Sequence, residues 1–543
     1  MEIVVGSSAT SSGSPPPTTD LIAGRRAQWD LWIERGFLAF LVLVFGYLAY
    51  FSGHKLLWFD ELLSYYTEHA PTAAAVLKIQ AATPVSLDPP LYHLLGHWML
   101  SLGFNAAFAI RFPSLAGSLL MVVGVYFYTK RIAGFYAAAI SIAGLILTYD
   151  FYLVDARPYG ILLGATGLSL LLWQNCIHNI GRRLSLPGLF LVLGLAVSCH
   201  YFGILVPVPL LLAELFRTIR RRKLDVAVVA VLFASYTLAA FWLPFLHAAG
   251  QYKAHYYVSA EFMNCIRSYS WLDEIHRSFK GLSPATDTLL FLLIVASVVA
   301  GAYLSFKANR RARSDRSSEE MAFDSLPEEW GALVFVSLVP LFGGILALAG
   351  AGSYLARYVL ESSIGLMVPR VSGILSFVRS RLIKALVLAL CSALIVAAFV
   401  RDRRRDAKET DLLHFSAMQA GSGELVIPDQ YDDFLRLHYY DRSKASSASQ
   451  FPFVADMQRE LTWKGTDNLS RTMLNMKQFT SLPVIGYDEL LRTQKQIVVI
   501  ESKSNRHSWI VDQLKQDHAQ FSLKAAQGDV SVYDVRLPES SQP

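Results

Sequence analysis

The sequence predicts a polytopic α-helical membrane protein followed by a C-terminal soluble α/β domain. Three observations carry that expectation. Apolar residues make up 53% of the 543 residues and charged residues 17%, where a soluble domain usually carries about a quarter. About eleven apolar segments, each near the length that crosses a bilayer, alternate with short basic clusters. Beyond Arg401 these segments stop, and short β-branched runs alternate with polar, helix-like stretches.

The elements follow in chain order. Residues 1–30 are rich in Ser, Thr and Pro at their start and are expected to be a disordered cytoplasmic N-terminus. They lack a basic region followed by an apolar core, so no cleavable signal peptide is expected. Residues 31–400 form the expected transmembrane domain. Its first span lies near Phe37–Phe51, and a polar and aromatic loop, 52–105, follows. Further spans are expected near 107–129, 134–152, 160–177, 187–203, 204–219, 226–247, 286–306, 331–350, 358–378 and 382–400. Residues 401–543 are the expected α/β domain, with strands near 424–429, 482–487, 496–502 and 530–535.

Charge placement sets the expected orientation. Arg25-Arg26, Lys130-Arg131, Arg182-Arg183 and the runs at 217–223, 307–316 and 379–384 fall in alternate loops. With the N-terminus in the cytoplasm, all lie on that side. The 52–105 loop, the "VDARPYG" turn, "CHYFG", the 248–285 loop, "GSYLARY" and the tail then face outward. "RDRRRD" at 401–406 runs against this pattern. The net charge of +6 does not suggest nucleic acid, because the Lys and Arg residues sit in these short runs. The four cysteines form no CxxC pair, so neither a zinc site nor a disulfide framework is indicated.

The outward loops collect the ionisable residues: Asp60, Glu61, Asp88, His93, Arg111, Asp155, Arg157, His200 and Arg357. In "WFDELLSYY" the Asp60-Glu61 pair reads equally as the first turn of an interfacial helix, where acids are favourable. Trp58 and Phe59 place it at interface depth. Tyr65 and Tyr66 follow one turn on, so the carboxylates are expected to face an aromatic-lined cavity that raises a pKa toward that of a base. "LDPPLYHLLGHWML" (87–100) reads as a Pro-initiated helix on the membrane surface. His93 and His97 have metal spacing there, but no third ligand is near. Asp155 and Arg157 occupy a turn between spans and could simply pair with each other. Arg111 and Arg357 lie near span ends, where a guanidinium fork matches phosphate oxygens.

"WFDE", "DPPLYHLLGHWML", "RFPSLAGSLLMVVGVYFYTKRIAG" and "DARPYG", in that order, resemble membrane glycosyltransferases of the GT-C fold. The similar branch is the bacterial family related to protein O-mannosyltransferases and the lipid A aminoarabinose transferase. The resemblance runs from about Trp58 to Lys223 and extends more loosely toward residue 360. It implies an enzyme of the cytoplasmic membrane that takes a sugar from a polyprenyl-phosphate carrier at the outer, periplasmic face. The acceptor would be a lipid, a polysaccharide or a protein.

By this resemblance the catalytic acids fall on Asp60 and Glu61, with Asp155 where the family usually has Glu. Arg157, Arg357 and Arg111 would hold the donor phosphate. Asp88, Tyr92, His93, Tyr159, His200 and Tyr201 would line the substrate site. The leaving group is a lipid phosphate, so the chemistry requires no cofactor; metal-dependent relatives in the wider fold keep a divalent ion open. The competing expectation is a transporter or flippase of lipid-linked sugars, which places charge near the midplane. Glu361 and Arg370 are its candidates.

Overall fold

The computed structural model describes residues 18–82, 88–149, 151–255, 261–273, 283–314, 325–351, 353–418, 424–440, 451–502 and 509–538. The chain forms two units, 1–47 and 48–543. The first holds most of helix α1 (Thr18–Ser52). Residues 18–30, expected to be disordered, belong to this helix, while 1–17 lie outside the described residues.

The 52–105 loop contains three short helices, α2 (Phe59–Glu68), α3 (Ala73–Ala82) and α4 (Leu91–Ser101). Helices α5 (Ala106–Ala133), α6 (Phe135–Tyr149), α7 (Tyr159–Ile177), α8 (Arg182–Cys199) and α9 (Pro207–Arg221) follow. Among the described residues, eight helices are long and apolar enough to cross a membrane. Pro327–Ser337 and Val339–Gly350 add a possible ninth span, bent by 45°. The chain is a multi-pass membrane protein.

Every expected apolar segment lies on one of these helices, on the bent pair, or on one of two shorter apolar helices, α6 and Ser362–Phe377. At 1.5 Å per residue, helices of 15 and 16 residues reach less than the ~30 Å of a bilayer core.

Helices α5 and α7 pack backbone to backbone. A Cβ on Gly160 would lie 2.2 Å from the Ser114 carbonyl oxygen, and one on Gly164 equally close to that of Gly117. Such small-residue seams drive helix association in lipid, where apolar burial gives little. This seam seats the 154–158 turn directly over α5.

The last membrane helix, Arg381–Met418, continues past the expected boundary at 401. The α/β fold starts after it. Its main sheet has the order β1 (Val426–Pro428), β4 (Gln496–Ser502), β6 (Val530–Arg536), β5 (Gln520–Gln527). Only the β1–β4 pair is parallel. Strands β2 (Phe453–Ala455) and β3 (Val484–Gly486) form a separate parallel pair.

One apolar cluster joins Leu62, Leu63, Tyr65 and Tyr66 of α2 to Phe434, Leu435, Phe453, Met473 and Val484 of the tail. The tail therefore lies on the same side of the membrane as the 52–105 loop.

Candidate active site

Ser52 ends α1, and the chain turns through residues 53–58 before α2 begins. Trp58 caps α2, and Glu61 reaches back so that its Oε2 accepts the Trp58 amide at 3.2 Å. The first turn thus holds Asp60 and Glu61 at the positive end of the helix. They point to different partners.

Glu61 is fully buried. Its Oε1 accepts from Arg111 Nε at 2.6 Å and from the Ala156 amide at 3.0 Å, and its Oε2 accepts from Arg111 Nη2. Arg111 Nη1 donates to the carbonyls of Ser52 (2.6 Å) and Lys55 (2.9 Å), and Nη2 to that of Leu56 (2.9 Å). All five guanidinium N–H groups are used. Burial pushes the Glu61 carboxyl up, but Arg111, Lys55 and the Ala156 amide outweigh it and hold the group below its ordinary value. The expected roles are corrected here: Arg111 has no donor left for a phosphate, and Glu61 has no access to substrate.

Asp60 keeps 13% of its side chain exposed. Its Oδ1 lies 3.2 Å from Arg157 Nη2, and its Oδ2 lies 3.9 Å from Arg357 Nη1. Arg157 Nη1 also donates to Asp88 Oδ2 at 3.2 Å. Arg157 is positioned from behind, since Ser114 Oγ donates to its carbonyl and its own amide donates to the Asp155 carbonyl at 2.6 Å. Arg357 stands on the short helical turn Ala356–Val359 with its side chain 26% exposed. Two guanidinium groups thus flank one partly open carboxylate.

Asp88 and His200 complete this cluster. Burial pushes the Asp88 carboxyl up to about 7, against the pull of Arg157. His200 Nε2 lies 3.7 Å from Asp88 Oδ1. Its Nδ1 accepts the Phe202 amide at 3.0 Å, which places the ring proton on Nε2. Burial and the two arginines hold His200 down near 3, so the ring is neutral. Tyr159 and Tyr358 flank this ring, with centroids 6.0 and 5.4 Å away. Tyr201 has a hydroxyl with no hydrogen-bond partner among the described residues.

Asp155 and Arg157 do not pair with each other. Asp155 Oδ1 accepts from the Trp58 indole at 2.7 Å. Burial pushes this carboxyl up to about 7, and nearby Glu61 adds to the effect. With Asp155 1% exposed, its visible task is to hold Trp58.

Three further expectations change. The Tyr92 hydroxyl is buried and donates to the Ile110 carbonyl at 3.0 Å. His93 is buried with Nδ1 2.9 Å from Glu68 Oε1, and His97 Nδ1 donates to the Glu68 carbonyl at 2.8 Å. Burial raises the Glu68 carboxyl and lowers His93 to about 3. Both histidines tie α4 to the end of α2. Tyr65 and Tyr66 pack under the tail instead of lining a cavity around Asp60.

Lys55 was not singled out by its sequence. Its Nζ sits 4.3 Å above the Phe151 ring, and burial lowers its pKa although Glu61 and Asp155 raise it. A lone Lys at the end of a span carries no motif, so only the fold reveals it. Arg370, a candidate for deep transporter charge, is instead bound through both Nη atoms to Asp273, at 2.7 and 2.5 Å. Among the described residues, no group of three or more His, Cys, Asp or Glu side chains is placed to hold a metal ion.

No protein family model matches the chain, and no curated protein does. Among solved structures it is similar to ArnT from Cupriavidus metallidurans bound to undecaprenyl phosphate, at 14% identity and a TM-score of 0.41, covering 92% of this chain and 98% of that one. The apo state of the same protein gives 14% identity and 0.41, covering 94% and 98%. The Archaeoglobus fulgidus oligosaccharyltransferase in complex with Zn and sulfate gives 13% identity and 0.41, covering 82% of this chain and 64% of that one.

Proposed function

We propose that this protein is a membrane glycosyltransferase that moves a sugar from a polyprenyl-phosphate donor to an acceptor hydroxyl at the outer face of the cytoplasmic membrane. The observation that carries the reading is Asp60, a partly exposed carboxylate set between Arg157 and Arg357 where membrane helices meet outward loops. The ordered motifs of the sequence support the same reading.

The chemistry follows from that geometry. Asp60 takes the proton of the acceptor hydroxyl as its oxygen attacks the anomeric carbon. The bond from that carbon to the phosphate oxygen breaks, and the polyprenyl phosphate leaves. Arg357, 26% exposed and 3.9 Å from Asp60, turns its fork to the phosphate, with Arg157 behind it. Base catalysis of this kind contributes about 10²–10⁴-fold. Asp88, His200, Tyr159 and Tyr201 supply polar and aromatic groups around the sugar.

The test uses purified protein in liposomes with a radiolabelled polyprenyl-phosphate sugar and hydroxyl acceptors of lipid, glycan and peptide type. Label moving to an acceptor supports the reading. Label that crosses the bilayer still attached to its lipid supports a transporter instead.

A further inference from the structure

Residues 53–58, which lead into the Asp60 helix, form no regular helix or strand, yet Leu56 and Leu57 are buried. Buried backbone groups need partners. Here those partners come from far along the chain. The Leu57 amide donates to Tyr440 Oη at 2.8 Å, and Arg436 Nε donates to the Leu57 carbonyl at 3.0 Å. The Leu56 amide donates to Asp406 Oδ1 at 2.9 Å. Arg436 is itself held by Glu409, 3.3 Å away on the extension of the last membrane helix.

The contact continues along α2. The Phe59 ring meets Tyr431 edge-on at 4.3 Å, and Tyr65 meets Tyr439 at 4.8 Å. Tyr66 Oη lies 2.8 Å from His438 Nδ1. The tail helix Tyr431–Tyr440 therefore grips the segment on both sides of Asp60.

We infer that Arg436 and Tyr440 of the α/β unit are positioning residues that hold the Leu57 backbone, and through it set Asp60 against Arg157. Neither residue is needed at the reacting atoms. Leu57 stands three residues before Asp60, and no local helix or ladder fixes it. A shift of about 1 Å at a reacting group can cost about 10²-fold in rate. The tail is thus a working part of the site. The inference rests on the proposed transfer reaction for its kinetic readout alone.

The test uses the full-length protein in nanodiscs and two measurements. Hydrogen exchange at the Leu57 amide reads the clamp without any activity. Tyr440→Phe removes only the acceptor hydroxyl, so exchange there should rise about fivefold, the worth of one hydrogen bond of about 1 kcal/mol. Strands β4 and β6 should stay protected, which shows that the tail remains folded. Turnover reads the consequence: Tyr440→Phe and Arg436→Ala should lower kcat several-fold with donor KM unchanged, and Arg436→Lys should recover part of the loss.

Unchanged exchange at Leu57 in both Tyr440→Phe and Arg436→Ala overturns the inference. So does raised exchange with wild-type kcat. If the wild-type protein transfers no sugar, the reading of its function fails, while the exchange experiment still decides whether the clamp exists.

Discussion

Asp60 and Glu61 are neighbours that belong to two different arginine assemblies. The Glu61–Arg111 assembly is closed: five donors meet five acceptors, and neither side chain reaches solvent. The Asp60 assembly is open. Its contacts to Arg157 and Arg357 are longer, at 3.2 and 3.9 Å, and both Asp60 and Arg357 keep exposed surface. A saturated buried pair can hold a fold but cannot exchange partners. A loosely held charge at the surface of the site can accept a substrate. One step along α2 thus separates a strut from a candidate base.

The sharpest way to break this comparison is Arg111→Ala. Removing one partner of a buried pair costs about 3–5 kcal/mol, here with three backbone carbonyls left unpaired as well. The variant should lose most of its thermal stability in detergent. Wild-type melting would mean that the closed assembly is not a strut. Glu61→Gln should also act through stability, because it leaves the buried Arg111 charge without its counter-ion.

Asp60→Asn should do the opposite. It keeps the shape, and the protein should melt as wild type and bind donor. Its kcat should fall by about 10²-fold or more, since an amide does not take the acceptor's proton. A well-folded variant that transfers sugar at the wild-type rate removes Asp60 as the base.

The two assemblies were not equally legible in the sequence. The length of the apolar runs marked the membrane helices, and the "DARPYG" turn and "GSYLARY" carry Arg157 and Arg357, which the fold brings together at Asp60. Arg111 looked like a phosphate ligand because its partners are the carbonyls of Ser52, Lys55 and Leu56, and a carbonyl leaves no mark on a sequence. Tyr92 and His93 were legible as helix residues but not as inward-facing ones.

In the tail, β5 was missed because it is a mostly exposed edge strand with polar residues. Strand β2 spans three residues beside a proline, too short for a periodic signal. The glycine seam is also a finding of the fold: Gly160 and Gly164 meet only α5 backbone, while Gly167 meets the Met121 backbone and a Val125 methyl.

A smaller effect sharpens the open assembly. Arg357→Lys keeps the charge and loses the planar fork. Donor affinity should drop roughly tenfold, the worth of one charge-assisted hydrogen bond of about 1.5 kcal/mol. Stability should not change, because Arg357 is not part of the closed pair. Titration with polyprenyl-phosphate sugar in nanodiscs measures this. An unchanged Kd in Arg357→Ala would take Arg357 out of the phosphate site.

The smallest expected effect is a pH dependence that only the open assembly should show. Asp88 shares Arg157 with Asp60, and burial pushes its carboxyl up to about 7. The raised value means that the folded protein keeps a proton which the unfolded chain releases near pH 4. This group's contribution to stability therefore falls as pH rises from about 4 to about 7 and is level above that. Donor binding follows the same charge. Below about pH 7 Asp88 is mostly neutral and pulls less on Arg157, which Asp60 still holds at 3.2 Å. Above it, the carboxylate competes for the guanidinium. The donor is a phosphodiester with one constant charge across this range, so the protein alone titrates. Donor affinity should weaken several-fold between pH 6 and pH 8.5. Asp88→Asn should bind at both pH values as wild type binds at the lower one. Asp155 is also pushed up to about 7, which gives the experiment its edge: a pH dependence that survives in Asp88→Asn assigns the titration to Asp155 and removes Asp88 as the group that competes for Arg157.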